Sequence, residues 1–227
     1  MNVMVGAART DVPVPAGTAL SGYAARTSGA TGTHDPLTVR ALAVDRVVFI
    51  AVDCCALHED SCRLIRDQLL GAGAAEAVVA ATHTHSGPCI GRGRVGIDEP
   101  AVRVVVERAA VASGSRSLAA ARDCRVGVRE ATGVGVARDR RHLDAVIDPP
   151  AQCLVFRDAA TGYAVATLVT YPCHPVVLSA ANTLVSADYV AVLRDEVEAA
   201  FDGALCVFMT GAAGDVNDGH AATASFR

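Results

Sequence analysis

The sequence predicts an α/β fold, a layered domain in which a mixed β-sheet is flanked by helices. Short apolar runs rich in β-branched residues, typical of buried strands, alternate along the 227 residues with stretches of helical periodicity. Some strand-like runs follow one another with no helix between them, which is typical of antiparallel neighbours and argues against a purely parallel sheet. No linker interrupts the pattern, so we expect a single domain over residues 1–227.

The individual strands and helices follow from the same patterns. In chain order, strands are expected at residues 3–7, 39–45, 47–53, 77–82, 124–129, 152–156, 164–171 and 204–209. Helices are expected at residues 58–70, at 99–121 with Pro100 in the first turn, and at 187–201 with Ser186 as the cap. The glycine-rich segment 17–33 is expected to form a long irregular loop, and such loops in compact domains are functional or disordered.

Composition narrows the class of protein. The 24 acidic residues outnumber the 20 basic ones, and the basic residues form no block, so we expect no nucleic-acid partner. Every basic residue is an arginine, which excludes phosphate-loop and Schiff-base chemistry that depends on lysine. Hydrophobic residues make up 52% of the chain but aromatic ones only 4%, so the core is expected to be aliphatic.

The chain shows no targeting or membrane signal. The first residues lack the basic and long apolar regions of a signal peptide. The most apolar stretch, residues 47–57, is interrupted by Asp53 and is too short to span a bilayer. The eight cysteines show no C-x-x-C pairing and are interpreted as buried, reduced thiols. We therefore expect a cytoplasmic protein without a transmembrane segment; the oligomeric state is not predicted.

Two histidines, His83 and His85, come directly after the predicted strand 77–82. In extended backbone, residues two apart face the same side, so both imidazoles can converge on one ion. Imidazole nitrogen is a favoured zinc ligand, and α/β enzymes place their sites at the carboxyl ends of strands. A third histidine, His174, follows the strand 164–171. Each motif alone also fits loop histidines bonded to backbone, but together the three histidines favour a metal site.

Two further features lie at predicted strand ends. Asp53 is interpreted either as a partner that holds a histidine in one tautomer or as a strand-end cap. After the last strand, the glycines and alanines of segment 211–214 permit close approach of the backbone to a ligand, with N–H groups as oxyanion donors. The same segment also fits a tight turn.

Taken in order, these segments resemble the N-terminal catalytic region of neutral/alkaline, non-lysosomal ceramidases and their bacterial relatives. The most specific segment is A-T-H-T-H-S-G-P at residues 81–88. The others are L-S-G-Y-A at 20–24, G-T-H-D-P at 32–36 with Arg40 and Ala41, R-D-R-R at 138–141, H-P at 174–175, S-A-D at 186–188 and G-A-A-G-D-V-N at 211–217. The resemblance covers nearly the whole chain.

The resemblance implies a zinc hydrolase of an N-acyl amide or an ester bond, acting on a small-molecule or lipid-like amide substrate. Water activated by Zn²⁺ would be the nucleophile. His83 and His174 match the zinc-binding histidines of the family, and His85 matches its second active-site histidine. Arg140 falls near an arginine that faces the site, although Asp139 stands where the family usually has Asn.

Two departures bear on this function. Asn217 occupies the place of a serine that is proposed to act in ceramidase catalysis, and an asparagine cannot serve as a nucleophile. Asp215 and Asn217 remain candidate catalytic residues. The family also uses a downstream Glu and Tyr as zinc ligands, so we expect the chain to be truncated at its C-terminus. Asp53, Asp188 and Asp215 are the candidate replacement ligands.

Two alternatives remain at this point. A truncated or degenerate relative would keep the fold and a partial metal site without turnover. An amidohydrolase barrel would also place an H-x-H motif at a strand end, but it needs eight regular β/α units, and three helices are predicted. The hydrolase with the ceramidase-like site is therefore the leading hypothesis.

Overall fold

The computed structural model describes residues 2–94, 96–142 and 144–218. Within these residues the chain forms an α/β fold, with a mixed eight-stranded sheet and three helices, which confirms the predicted class. The strands are β1 (Asn2–Val12), β2 (Gly32–Thr33), β3 (Leu37–Val44), β4 (Val47–Val52), β5 (Glu76–Ala81), β6 (Arg122–Ala131), β7 (Ala137–Asp139), β8 (Ala151–Asp158), β9 (Ala164–Tyr171), β10 (Leu184–Val185), β11 (Leu205–Thr210) and β12 (Val216–Asp218). The helices are α1 (Glu59–Gly71), α2 (Pro100–Ala119) and α3 (Tyr189–Ala200).

The large sheet has the strand order β11-β9-β8-β6-β1-β3-β4-β5. The pairs β4–β5 and β9–β11 are parallel, and the remaining neighbours in this sheet are antiparallel. A helix connects each parallel pair, α1 between β4 and β5 and α3 between β9 and β11, because parallel strands need a crossover connection. Two short ladders, β10 with β2 and β12 with β7, lie outside this sheet.

The large sheet is curled, so that its two edge strands approach each other. The hydroxyl of Thr210, the last residue of β11, donates a 2.6 Å hydrogen bond to the carbonyl of Thr82, the residue after β5. One apolar cluster contains residues of seven of the eight strands: Val3, Val5, Leu42, Ala51, Cys124, Phe156, Ala166 and Val207. The carboxyl ends of β5, β9 and β11 therefore meet at one place.

Helices α1 and α2 contribute to a separate apolar cluster with β3, β4 and β5. Ile65 and Leu69 of α1 are fully buried there. The burial of each side chain stabilises the folded state by about 1.5–3 kcal/mol. A Cβ atom on Gly114 of α2 would lie 2.5 Å from a methyl group of Leu69, so the absence of a side chain permits the close helix contact. No helix in the described part of the chain is long and apolar enough to cross a membrane.

Helix α3 begins later than predicted, and Ser186 is not its cap. Asp188 is the N-cap, and its carboxylate accepts a 2.8 Å hydrogen bond from the Tyr189 N–H. The Ser186 hydroxyl instead accepts from the Asp188 N–H at 2.8 Å and donates to the Asp35 carboxylate at 2.5 Å. The prediction that Ser186 caps the helix was wrong, because Asp188 takes the capping position and Ser186 fixes the loop before it.

The Asp53 carboxylate, just after β4, is buried and joins four elements. Both guanidinium nitrogens of Arg194 in α3 donate to it at 2.9 Å. Thr38 of β3 donates through its N–H at 2.8 Å and its hydroxyl at 2.9 Å, and the Thr82 hydroxyl donates at 3.2 Å. Burial raises the pKa of Asp53, but Arg194 and these hydrogen bonds outweigh it and hold the pKa below its ordinary value.

The prediction that Asp53 orients a histidine is therefore wrong. Both of its carboxylate oxygens are occupied by Arg194 and by threonines of the neighbouring strands. The same contacts remove it as a replacement metal ligand. Its role is that of a buried junction between the sheet and α3.

We expect Arg194→Met to lower the free energy of unfolding by about 3–5 kcal/mol, because it leaves the buried Asp53 carboxylate without its counter-charge. Denaturant unfolding followed by circular dichroism measures the loss. Arg94→Met is the matched control, since it breaks an exposed 2.9 Å pair with Glu59 and should cost far less. Equal losses in both variants would contradict the structural role of the buried pair.

Candidate metal centre

His83 lies two residues beyond the end of β5, and its backbone is held in an unusual conformation. Its φ is 74°, in the left-handed region, which costs a non-glycine residue about 1–2 kcal/mol. The His83 N–H donates a 2.9 Å hydrogen bond to the carbonyl of Cys54, so the chains after β4 and β5 remain paired. Such strain is concentrated at functional sites, where the surrounding structure fixes one side-chain direction.

The tautomer of His83 follows from its contact with Cys55. The His83 Nδ1 lies 2.6 Å from the Cys55 carbonyl oxygen. A carbonyl oxygen only accepts hydrogen bonds, so Nδ1 carries the proton and donates it. The Nε2 lone pair of His83 is therefore free to bind a cation, as in metal sites where the second ring nitrogen of a histidine is hydrogen-bonded to a carbonyl.

His85 faces His83 from the same loop. The two Nε2 atoms lie 3.4 Å apart, and the edge of the Tyr23 ring packs on His85 with a centroid distance of 4.9 Å. Burial, followed by the neighbouring His83 and His174, lowers the pKa of His85 to about 3. His85 is therefore a neutral imidazole at physiological pH.

His174 reaches the same position from the other edge of the curled sheet. It follows β9, and its ring centroid lies 4.8 Å from that of His83 and 5.9 Å from that of His85. Its Nδ1 lies 3.2 Å from the Val216 carbonyl in β12, and the backbone of Ala213 is a second hydrogen-bond partner of the ring. Burial and then His83 lower the pKa of His174. The structure thus brings together the three histidines that the sequence singled out.

The three rings fit a divalent cation that prefers nitrogen ligands. Two nitrogens bound to one tetrahedral zinc ion stand about 3.3–3.4 Å apart, since each Zn–N bond is about 2.0–2.1 Å. The Nε2 atoms of His83 and His85 lie 3.4 Å apart, which is compatible with one ion beside both rings. The Nδ1 atoms of His83 and His174 face carbonyl oxygens, an arrangement typical of metal-binding histidines.

Cys55 joins this cluster, although the sequence did not identify it as a ligand. The ligand atoms of Cys55, His83 and His85 all lie within 4.8 Å of one another. The prediction of a buried thiol is confirmed, since Cys55 is 2% exposed. Burial and then the nearby Cys89 raise the pKa of this thiol to about 11.

A cleft of about 350 Å³ lies over His83 and His174. Thr210, Gly211, Ala213 and Gly214 line the same cleft together with Arg140, so the segment after β11 forms one wall. The Arg140 side chain donates a 2.5 Å hydrogen bond to the Gly214 carbonyl, and its N–H donates to the Asp215 carbonyl at 2.8 Å. These hydrogen bonds hold the Arg140 guanidinium at the cleft; its catalytic role stays a prediction.

Asp215, Asn217 and Asp188 are the remaining acidic and amide candidates. Asp215 is exposed, and Asn217 is part of β12 with a buried Oδ1 that has no hydrogen-bond partner among the described residues. Their catalytic roles stay predictions. The Asp188 carboxylate accepts hydrogen bonds from the N–H groups of Val177, Leu178 and Tyr189, so its oxygens are occupied and it is not a replacement ligand.

Arg26 is a site residue that sequence reasoning missed. Its guanidinium donates to the carbonyl oxygens of His85 at 2.6 Å, Ser21 at 3.0 Å and Ser179 at 3.3 Å, and it lies 5.1 Å from the Tyr23 ring centroid. It therefore ties the glycine-rich loop to the loops that follow β5 and β9. That loop also lines a cavity of about 680 Å³ beside Tyr23. No local pattern around Arg26 marks it for this role.

The fold of this chain matches that of two solved ceramidase structures. The crystal structure of neutral ceramidase from Pseudomonas aeruginosa superposes with a TM-score of 0.83 at 21% sequence identity, over 96% of this chain and 40% of that chain. A ceramidase complexed with C2 superposes with a TM-score of 0.81 at 21% identity, over 96% of this chain and 39% of that one. No protein-family model and no curated protein sequence matches the chain.

This likeness confirms the fold that the resemblance implied. The chain spans about two fifths of the length of these two ceramidases. At 21% identity the superposition establishes a shared architecture, and the chemistry must be argued from the side chains of this chain itself.

We expect Gly22→Ala to displace the His85 ring, because a Cβ at Gly22 would lie 2.4 Å from the His85 Cγ. Gly17→Ala is the matched control: both glycines have positive φ, 97° and 86°, but a Cβ at Gly17 meets nothing within 4 Å. Both variants should lose about 1–2 kcal/mol of stability, because alanine is strained in the left-handed backbone conformation. Only Gly22→Ala should shift the His85 ring resonances in NMR spectra, and unshifted resonances would refute this packing.

Proposed function

We propose that this chain is a zinc-dependent hydrolase that cleaves an amide (N-acyl) or ester bond of a small-molecule or lipid-like substrate, in the manner of a ceramidase. The observation that carries the proposal is the convergence of His83, His85 and His174 at the joined carboxyl ends of β5 and β9. The ceramidase fold of the chain supports the same class of reaction.

In this proposal His83 and His174 hold the metal ion through their Nε2 atoms. Zinc, when bound, supplies an activated water and stabilises negative charge on the substrate carbonyl oxygen. The Cys55 and Val216 carbonyls fix the two rings through Nδ1, so that little reorientation is needed on binding. Their role is to hold both ligands in the productive tautomer.

His85 is the proposed contact to the substrate or transition state. It is half-buried beside His83, with the two Nε2 atoms 3.4 Å apart, so it would form a hydrogen bond with a group bound at this position. Arg140 lines the cleft as a fixed cation and would stabilise the charge that develops on the carbonyl oxygen. Asn217 has a buried Oδ1 without a hydrogen-bond partner among the described residues, which would accept a hydrogen bond from a substrate N–H. The Asp215 carbonyl accepts a hydrogen bond from the Arg140 N–H, so Asp215 would help to position Arg140.

A degenerate relative that keeps the fold and the metal site without turnover is the second candidate. Asn217 favours it, because an amide cannot replace a hydroxyl as a nucleophile. The two candidates agree on metal binding and differ in hydrolysis, so separate measurements of each property distinguish them.

We expect the purified chain to contain close to one equivalent of zinc, measured by mass spectrometry of the metal. His83→Ala and His174→Ala should lose it, whereas His85→Ala should retain it, since His85 is assigned to contact with the substrate. His142→Ala is the control, because this histidine is exposed and is not among the residues that line the cleft. Zinc retained in both His83→Ala and His174→Ala would contradict the proposed ligands.

The zinc-loaded chain is expected to hydrolyse N-acyl substrates with a fluorogenic leaving group, and His85→Ala should reduce kcat by about 100-fold or more, the size of a lost hydrogen bond to the transition state. Ester substrates of the same acyl length give the amide-to-ester preference. A zinc-loaded wild type with no turnover of either series would overturn the hydrolase and favour the degenerate relative.

A further inference from the structure

Cys55 and His83 occupy equivalent places after two adjacent parallel strands. Strands β4 and β5 run in parallel with Val52 opposite Ala81, so the residues that follow them leave the sheet side by side. The hydrogen bond from the His83 N–H to the Cys54 carbonyl, 2.9 Å, continues this pairing beyond the strands. The Cys55 side chain is therefore fixed next to the His83 imidazole by the sheet itself.

The distances in this cluster suit a shared ion. The ligand atoms of Cys55, His83 and His85 are all within 4.8 Å of one another. A sulfur and a nitrogen on one tetrahedral zinc ion stand about 3.5 Å apart, given bonds of about 2.3 and 2.0–2.1 Å. A side-chain adjustment of about 1 Å therefore brings the thiol into coordination range.

The types of side chain available as ligands also favour Cys55. Catalytic zinc sites have three protein ligands, mixed from Cys, His and carboxylates, with an open fourth position for water. The acidic side chains that the sequence offered as a third ligand are occupied or exposed: Asp53 pairs with Arg194, Asp188 caps α3, and Asp215 faces solvent. A thiolate would also balance the positive charges of Arg26 and Arg140, both of which act on His85.

We propose that Cys55 is a thiolate ligand of the metal ion that His83 binds, which makes the centre of this chain a mixed thiolate and imidazole site. The inference rests on the metal centre of the proposed function. On binding, the S–H bond of Cys55 breaks, its proton passes to solvent, and a bond from sulfur to the metal forms. Arg140 lines the cleft over His83 and His174, where a substrate would reach the ion.

Cobalt(II) is the probe, because it enters zinc sites and reports its ligands by absorption. Metal-free full-length chain is titrated with Co²⁺, and a sulfur-to-cobalt charge-transfer band in the near ultraviolet is expected together with the visible bands of a tetrahedral ion. Cys55→Ser should abolish the charge-transfer band and weaken cobalt binding by about 10-fold or more, the range seen when a ligand environment is altered. Cys62→Ser, a partly buried thiol on α1, should leave the spectrum unchanged.

The outcomes separate this inference from the proposed function. Visible cobalt bands without a charge-transfer band in the wild type would overturn Cys55 as a ligand and leave the histidine site intact, whether or not Cys55→Ser folds. A charge-transfer band that survives in Cys55→Ser would also overturn it. A wild type that binds no Co²⁺ would overturn the metal centre as a whole.

Discussion

The buried carboxylate of Asp53 is the interaction on which the site depends. It accepts hydrogen bonds from β3, from Thr82 after β5 and from Arg194 of α3, so it joins both sides of the curled sheet near the ends of the strands. A buried ion pair of this kind adds little net stability compared with apolar packing, but it strongly penalises arrangements that separate the partners. Its effect is to fix where the loops after β4 and β5 leave the sheet, and these loops carry Cys55 and His83.

The fold could be predicted to the extent that it depends on local sequence periodicity. Strand β9 was predicted with its actual limits, because its residues are uniformly apolar or β-branched. Strand β1 was predicted too short, since its second half contains Arg9, Thr10 and Asp11. That half pairs with β3, and the Thr10 hydroxyl lies 2.7 Å from Ser113 in α2, so long-range contacts satisfy its polar groups. Such contacts are invisible in a local pattern.

In the site, too, residues marked by a local pattern could be predicted and residues that depend on long-range contacts could not. His83, His85 and His174 were found because each follows a predicted strand, and strand ends are where sheets present side chains. The partner of Asp53 could not be found, because Arg194 is 141 residues away in sequence. Arg26 and Cys55 were missed for a related reason: one holds three separate loops together, and the other becomes a neighbour of His83 only through the parallel pairing of β4 and β5.

The cluster is also costly for the fold in the absence of a cation. His83 adopts a left-handed backbone conformation, and the half-buried ring of His85 has a pKa lowered to about 3. The buried Nδ1 of His85 has no hydrogen-bond partner among the described residues, which adds to this cost. A cation held by His83 and His174, as proposed, would offset part of the cost, because a ligand that binds only the folded chain stabilises the folded state. The cost of the histidine cluster is therefore an argument for a bound ligand at this position, and the stability of the loops after β5 and β9 would depend on that ligand.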